Sequence, residues 1–383
     1  LSEELASSGQ EIFVVTRQIE PSWAKFEVAG HVPIKRIPPR GILKGIGWKA
    51  LLPILNLTVR TFYLLLRNVH RYDVVLVSGW KILSIPAVVV GRACGKKCVI
   101  KIDSPMELWE DISTDSLKKM KLPFSSHLVK WLRRSRAALV GKADCFVAIS
   151  AEIRRELVGL GVDPQKIRAI PNGIDTKKFR PVSALEKERL REKLLLPTDK
   201  VILVYTGRIA ASKGLLLLID VYRELIRKYE DLHLLIVGSG QRSFDDCEAQ
   251  LKEFIVVNHL TQSVSIPGEV ANVAEYLQAS DVFVSPSHYE GFSLALVEAF
   301  ACALPSVVTR VGAAGELIQD RTSGVLVAPK DSSEMKSGLE WALNHRNLWA
   351  AMGENARNGI QEKYSIQVIA QKYVEMFMEP CGA

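Results

Sequence analysis

The feature that most constrains this chain is a double series of short, continuous apolar runs rich in Val and Ile, separated by helical stretches. The first series is Glu11–Thr16, Asp73–Ser78, Lys97–Asp103, Asp144–Ser150 and Ile167–Pro171. The second is Lys200–Gly207, Leu232–Gly238, Ser263–Pro267, Asp281–Pro286, Pro305–Thr309 and Gly324–Val327. Most of these runs are too continuous for a sheet with one wet face. Parallel strands covered by helices on both faces account for them. An α/β class follows, with two facing doubly wound domains and a break near Lys177–Ala184. At 383 residues the chain has the length that two domains need. The expected boundaries are 1–180 and 181–363, followed by a segment 364–383. Leu1 and Leu5 stand one helical turn apart, so the chain is expected to begin inside a structural element.

Charge is unevenly spread. Residues 1–180 hold 30 Lys and Arg against 16 Asp and Glu, a net +14, whereas the remainder holds 20 against 26, a net −6. A basic first half joined to an acidic second half implies that the first half meets something anionic: nucleic acid, a phospholipid surface or a phosphorylated substrate. Two segments concentrate that charge beside apolar residues. Gly41–Val69 carries Trp48 and many Leu, but Pro53, Lys44, Lys49, Arg60 and Arg67 interrupt it, so it does not read as a membrane span. It reads either as a helix packed on the sheet or as a basic, Trp-bearing surface lying on a membrane. Lys118–Lys142, with Trp131, Arg133, Arg134 and Arg136, is similar. Six cysteines, without a C-x-x-C pair, are too few for a disulfide scaffold and offer no structural zinc site. A reducing, cytoplasmic compartment is the simplest reading.

The most informative segment is Ser285–Glu298, S-P-S-H-Y-E-G-F-S-L-A-L-V-E. A strand ends, a turn follows, and a helix is expected near Ser293. The backbone N–H groups of Gly291, Phe292, Ser293 and Leu294 are then free to meet an anion, which the helix dipole favours. Glu290 and Glu298 are eight residues apart, about 12 Å if every step were helical. That suits one carboxylate on a sugar ring and one on a ribose, with a diphosphate between. A second segment, Tyr205–Gly214, places Gly207 and Arg208 at a strand's carboxyl end and Lys213 at the start of the next helix. Arg offers phosphate a planar fork and Lys a point charge. Gly238 after one strand, Val270 in the loop Pro267–Val270 and the turn Pro171–Asp175 are weaker signals. Each of them alone reads first as a structural turn.

Taken in order, A-D-C-F-V-A-I-S (143–150), I-P-N-G-I-D-T-K-K-F-R-P (170–181), G-R-I-A-A-S-K-G (207–214), E-G-F-S-L-A-L-V-E-A-F-A (290–301), V-G-A-A-G-E-L-I (311–318) and S-G-V-L-V (323–327) resemble a family-4 glycosyltransferase of the two-Rossmann, GT-B type. The resemblance implies transfer of a sugar from a nucleotide diphosphate sugar to an acceptor hydroxyl, with the anomeric configuration retained and without a metal or other cofactor. By motif position, Arg208 and Lys213 would bind the diphosphate and stabilise it as it leaves. Glu298 would hold the ribose, and Glu290 with Gly291–Leu294 the donor sugar; Gly207, Gly238 and Val270 would complete the donor site. Glu316 matches a recurrent family acid without a firm role. The segment 364–383 would resemble the helix that crosses back to the first domain.

Three departures qualify the match. The strand and Gly-Gly loop that usually precede Leu1–Thr16 are absent. Asp103 lies where a histidine near the reaction centre is usual, and is its candidate replacement. Ala303 takes the place of a usual Gly, which is tolerated unless φ is positive. The alternatives are a binding or regulatory subunit that has lost turnover, and another two-Rossmann enzyme such as a nucleotide-sugar epimerase. Nucleic acid fits poorly, because the nucleotide motifs fall in the acidic half. The basic half then points to a glycan or lipid-linked acceptor, and to peripheral attachment at the inner face of a membrane.

Overall fold

The computed structural model describes residues 1–38, 48–79, 83–103, 134–241, 243 and 245–379. They form two compact units, Leu1–Pro171 with Ile369–Ala383, and Asn172–Val368.

In the first unit, β1 (Val14–Arg17), β2 (Phe26–Ala29) and β3 (Val32–Ile37) make one sheet, in the order β1-β3-β2. A second sheet joins β4 (Val74–Ser78), β5 (Lys97–Ile102), β6 (Cys145–Ala148) and β7 (Ile167–Ala169), in that order and all parallel. The hairpin β2–β3 corrects the all-parallel expectation, since its strands are antiparallel. Along β2 exposed and half-buried residues alternate, the pattern of a strand with one wet face, and Gly30 turns the chain at φ +58°. The stretch containing Trp48 forms one helix, Trp48–Arg67, which packs against the helix Ser84–Cys94. Most of Lys118–Lys142, including Trp131 and Arg133, lies outside the described residues. No helix among the described residues is long and apolar enough to cross a membrane.

The core of this unit is closed by residues distant in sequence. Ile369, Tyr373 and Met376 are buried with Leu5, Val99, Val147 and Ile170. The buried Lys97 ammonium donates to the carbonyls of Met376 and Glu379, the latter at 2.7 Å. Arg168 pairs with the Glu379 carboxylate at 2.7 Å.

The second unit has a single six-stranded parallel sheet. Its strands are β8 (Val201–Thr206), β9 (Leu232–Val237), β10 (Val264–Gly268), β11 (Val282–Ser285), β12 (Ser306–Thr309) and β13 (Val325–Val327). Their order is β10-β9-β8-β11-β12-β13. β9, β11 and β12 are wholly buried, as continuous apolar runs require. The unit begins at Asn172, earlier than the expected 180/181 boundary. The reason is backbone pairing: Ile174 donates to the Tyr364 carbonyl at 2.9 Å and accepts from Ile366 at 2.8 Å. The Gln278 amide binds the carbonyls of Lys178 and Arg180, so this stretch is already part of the second unit.

Candidate functional site

The strand order of the second unit reverses between β8 and β11. In open α/β sheets, ligands sit outside the carboxyl ends of the strands at such a point. The chain places Gly207 and Arg208 directly after β8, Gly238 after β9, and the segment Pro286–Leu294 after β11. Val270 follows β10 by two residues, and the preceding Gly268 carbonyl accepts from Gly238 N–H at 2.9 Å.

Glycines let these strand ends close up. Gly207 and Gly238 both have φ +145°, and a Cβ on Gly238 would lie 1.8 Å from the Gly207 carbonyl oxygen. Any side chain there would force the two loops apart. Arg208 is exposed beyond this contact, and its guanidinium donates to Ser243 Oγ at 3.3 Å. Ser243 donates to Asp245 at 3.0 Å, and Asp245 accepts the Ser212 N–H at 2.8 Å. Hydrogen bonds from Ser212 hold the Asp245 carboxyl down at about 2, so it is ionised throughout the neutral range. This chain of bonds ties Arg208 to the turn that carries Lys213.

Lys213 ends a short 3-10 turn, Ala211–Lys213, and Gly214 at φ +70° leads into the helix Leu215–Leu225. A Cβ on Gly214 would lie 2.1 Å from the Pro286 carbonyl oxygen, so this turn and the loop after β11 touch backbone to backbone. Across that contact the Lys213 ammonium forms an ion pair with the Glu290 carboxylate, both largely buried. Gly312 at φ +53° lies beneath: its Cβ would be 2.2 Å from the Glu290 carbonyl oxygen.

The helix following Glu290 begins at Leu294, so only part of the Glu290–Glu298 separation is helical, and the full-helix spacing is corrected accordingly. Residues 290–293 instead form a turn packed over Gly312. Ser293 is the N-cap and accepts the Leu296 N–H at 3.3 Å. No acceptor is present among the described residues for the N–H groups of Gly291, Phe292, Ser293 and Leu294. Phe292 is buried, with its ring centroid 6.2 Å from that of Tyr364. Glu298 is one turn into the helix, where burial pushes its carboxyl up to about 7 against the opposing pull of Lys178.

The structure therefore brings Gly207, Arg208, Lys213, Gly238, Glu290, Gly291, Phe292, Ser293, Leu294 and Glu298 to one edge of the second unit, with Val270 at the end of β10. Asp103 belongs to the first unit, immediately after β5. There it pairs with Lys101 at 2.7 Å and accepts from Ser78 Oγ. Ala303 has φ +58°, so this alanine carries left-handed strain where a glycine would not.

Three residues were not assigned to the site from the sequence. Gly214 and Gly312 act through close backbone approaches to Pro286 and Glu290, contacts between distant segments that no local pattern reveals. His288 has a buried Nδ1 without a partner, and burial lowers the imidazole below its ordinary value. Its position within S-P-S-H-Y-E-G was the available signal.

Two α/β units with parallel sheets, the second carrying a helix terminus and paired charges at its switch point, define the class of two-Rossmann nucleotide-dependent proteins. The family described as Glycosyltransferase Family 4 matches residues 1–178, and that described as Glycosyl transferases group 1 matches residues 186–359. The chain belongs to the family-4 glycosyltransferases of GT-B fold. It is 31% identical to D-inositol 3-phosphate glycosyltransferase 2 of Catenulispora acidiphila over 57% of this chain and 52% of that protein. The chain thus spans about half the length of that curated relative. It is 28% identical to the UDP-Gal:alpha-D-GlcNAc-diphosphoundecaprenol alpha-1,3-galactosyltransferase of Escherichia coli over 83% of this chain and 78% of that one. The crystal structure of HepE from Anabaena in complex with UDP superposes with a TM-score of 0.74 at 18% identity, covering 96% of this chain and 99% of that chain, a likeness of fold.

Proposed function

We propose that this chain transfers a sugar from a nucleotide diphosphate sugar to an acceptor hydroxyl, with the anomeric configuration retained and without a metal ion. The observation that carries the reading is the Lys213–Glu290 pair at the switch point, beside the unpaired N–H groups that open the helix at Leu294. Relatives add direction, since one is named for UDP-Gal and a diphosphoundecaprenol acceptor, and a fold neighbour holds UDP.

In the reaction, the bond from the anomeric carbon to the diphosphate oxygen breaks. A bond to the acceptor oxygen forms on the same face, and the acceptor proton leaves with the diphosphate. Positive charge grows on the sugar and negative charge on the diphosphate. Arg208, Lys213 and the N–H groups of Gly291–Leu294 meet that negative charge where it develops. Gly207 and Gly238 admit the nucleotide by keeping side chains away from the strand ends, and Val270 contributes a wall beside the base. Glu298 accepts from the ribose hydroxyls. Glu290 orients the donor sugar through hydrogen bonds and forms no covalent intermediate. Asp103, after β5 of the first unit, is the candidate replacement for the histidine usual near the reaction centre. The net charge of the first half favours a glycan or lipid-linked acceptor that is itself anionic.

The test is transfer of radiolabelled sugar from UDP-, GDP- and ADP-sugars to lipid-diphosphate and oligosaccharide acceptors, with and without EDTA. Transfer that survives EDTA, with a product of unchanged anomeric configuration, is the expected result. Nucleotide binding without transfer or donor hydrolysis across the whole panel would instead establish a binding subunit.

A further inference from the structure

We infer that the Lys213–Glu290 ion pair is a latch that selects an intact sugar nucleotide over the free nucleoside diphosphate and helps to expel the diphosphate once the sugar has left. The inference rests on the donor reading above and gives the pair a task beyond contact with substrate.

The pair is shielded and exclusive. Its side chains are 15% and 20% exposed, and neither forms another ion pair among the described residues. Arg208 differs: it is exposed, its guanidinium donates to the uncharged Ser243 hydroxyl, and it forms no ion pair among the described residues. An arriving diphosphate therefore finds the charge of Arg208 free and the charge of Lys213 already taken.

The pair is not what joins its two loops. The His288 N–H donates to the Ser212 carbonyl at 2.9 Å, and Gly214 meets the Pro286 carbonyl directly. The Thr309 hydroxyl donates to the Ser287 carbonyl at 2.6 Å, and the Glu290 carbonyl packs on Gly312. These contacts to the backbone fix the junction, so the side chains can part while the loops stay together.

The free energy of parting depends on what arrives. A shielded carboxylate that loses its cation needs hydrogen-bond donors in its place. A sugar diphosphate supplies both replacements at once: phosphate oxygens for the Lys213 ammonium and sugar hydroxyls for the Glu290 carboxylate. A nucleoside diphosphate supplies only the first. It leaves Glu290 without donors and beside further negative charge, which repels it. Transfer turns the first ligand into the second: the sugar hydroxyls depart, Glu290 reclaims Lys213, and the diphosphate loses one of its two cationic side chains.

The experiment is calorimetric titration of the full chain with UDP, GDP, ADP and the glucose conjugate of each, in the parent, Glu290→Gln and Lys213→Met. Glutamine can still accept from Lys213 but carries no charge. Glu290→Gln is expected to bind the preferred nucleoside diphosphate about tenfold more tightly than the parent, a change of about 1.4 kcal/mol. That is in the range of one charge-assisted hydrogen bond. The variant is expected to bind the matching conjugate no more tightly than the parent does. Lys213→Met is expected to bind the same diphosphate about tenfold more weakly. A pair that only holds the loops would weaken binding in both variants, so losses in both overturn the inference. Unchanged diphosphate affinity in Glu290→Gln, or equal tightening toward both ligands, also overturns it. So does a melting temperature lowered by more than about 5 °C in Glu290→Gln, since the junction would then depend on the pair. Transfer by the parent without these affinity shifts removes the latch and keeps the catalytic reading. The shifts without transfer from any donor do the reverse, and no nucleotide binding by the parent removes both.

Discussion

Glu298→Gln separates the cost of a buried carboxylate from its use. The Glu298 carboxyl ionises near pH 7 when folded, because burial disfavours its charge, and near pH 4.5 when unfolded. The native state therefore holds the extra proton between those values. Stability associated with this group is fully present below about pH 4.5 and is lost as pH rises through about 7. At about 1.4 kcal/mol per pH unit, the loss comes to about 3 kcal/mol at pH 8. Glutamine is nearly the same shape and carries no charge. Urea unfolding should find the variant within about 1 kcal/mol of the parent at pH 5 and about 3 kcal/mol more stable at pH 8. UDP binding should move in the opposite direction. If the carboxylate accepts from the ribose, the parent binds more tightly as pH rises through 7 and releases a proton on binding. The variant should bind more weakly and without that pH dependence. A stability difference that stays flat from pH 5 to pH 8 would refute the assignment of a buried, proton-holding carboxyl. Unchanged UDP affinity in the variant would refute its role at the ribose.

Other expectations follow from single contacts. Arg208→Ala should lower turnover by about a hundredfold, with a smaller effect on nucleotide affinity, in steady-state assays with the true donor. Ala303→Gly should stabilise the second unit by about 0.5–1 kcal/mol by relieving the strain at φ +58°, read as a melting temperature higher by about 2 °C. Asp281→Ala should destabilise the same unit by about 3 kcal/mol in urea, because it leaves the buried Arg191 guanidinium without its 2.6 Å partner.

The strands β8 to β13 were legible to within about two residues, and most clearly β8, β9, β11 and β12, because both faces of these four are covered, leaving unbroken apolar runs with polar ends. The hairpin β2–β3 left no such trace: its strands are short, Glu27, Lys35 and Arg36 interrupt them, and Phe26, Val28 and Lys35 are exposed. In the site, Arg208, Lys213, Glu290 and Glu298 were legible as local patterns at strand and helix ends. The Lys213–Glu290 pair was not, nor were the backbone contacts of Gly214 with Pro286 and Gly312 with Glu290. These depend on how two loops meet, and no periodicity encodes that. The Glu290–Glu298 spacing was overextended for the same reason: packing over Gly312 holds residues 290–293 as a turn.

The core of the first unit has a consequence for synthesis. Ile369, Tyr373 and Met376 are buried in it, and Lys97 and Arg168 find their partners at 376–379. The ribosome makes those residues only after all of Asn172–Val368. At ordinary translation rates that is a delay of about 10–40 s, during which Val99, Val147 and Ile170 lack their final cover. The usual order, in which the first-made domain finishes first, is therefore reversed: the second unit can complete its fold while the first still waits. Nascent chains stalled before residue 369 should consequently expose an apolar face of the first unit to chaperones.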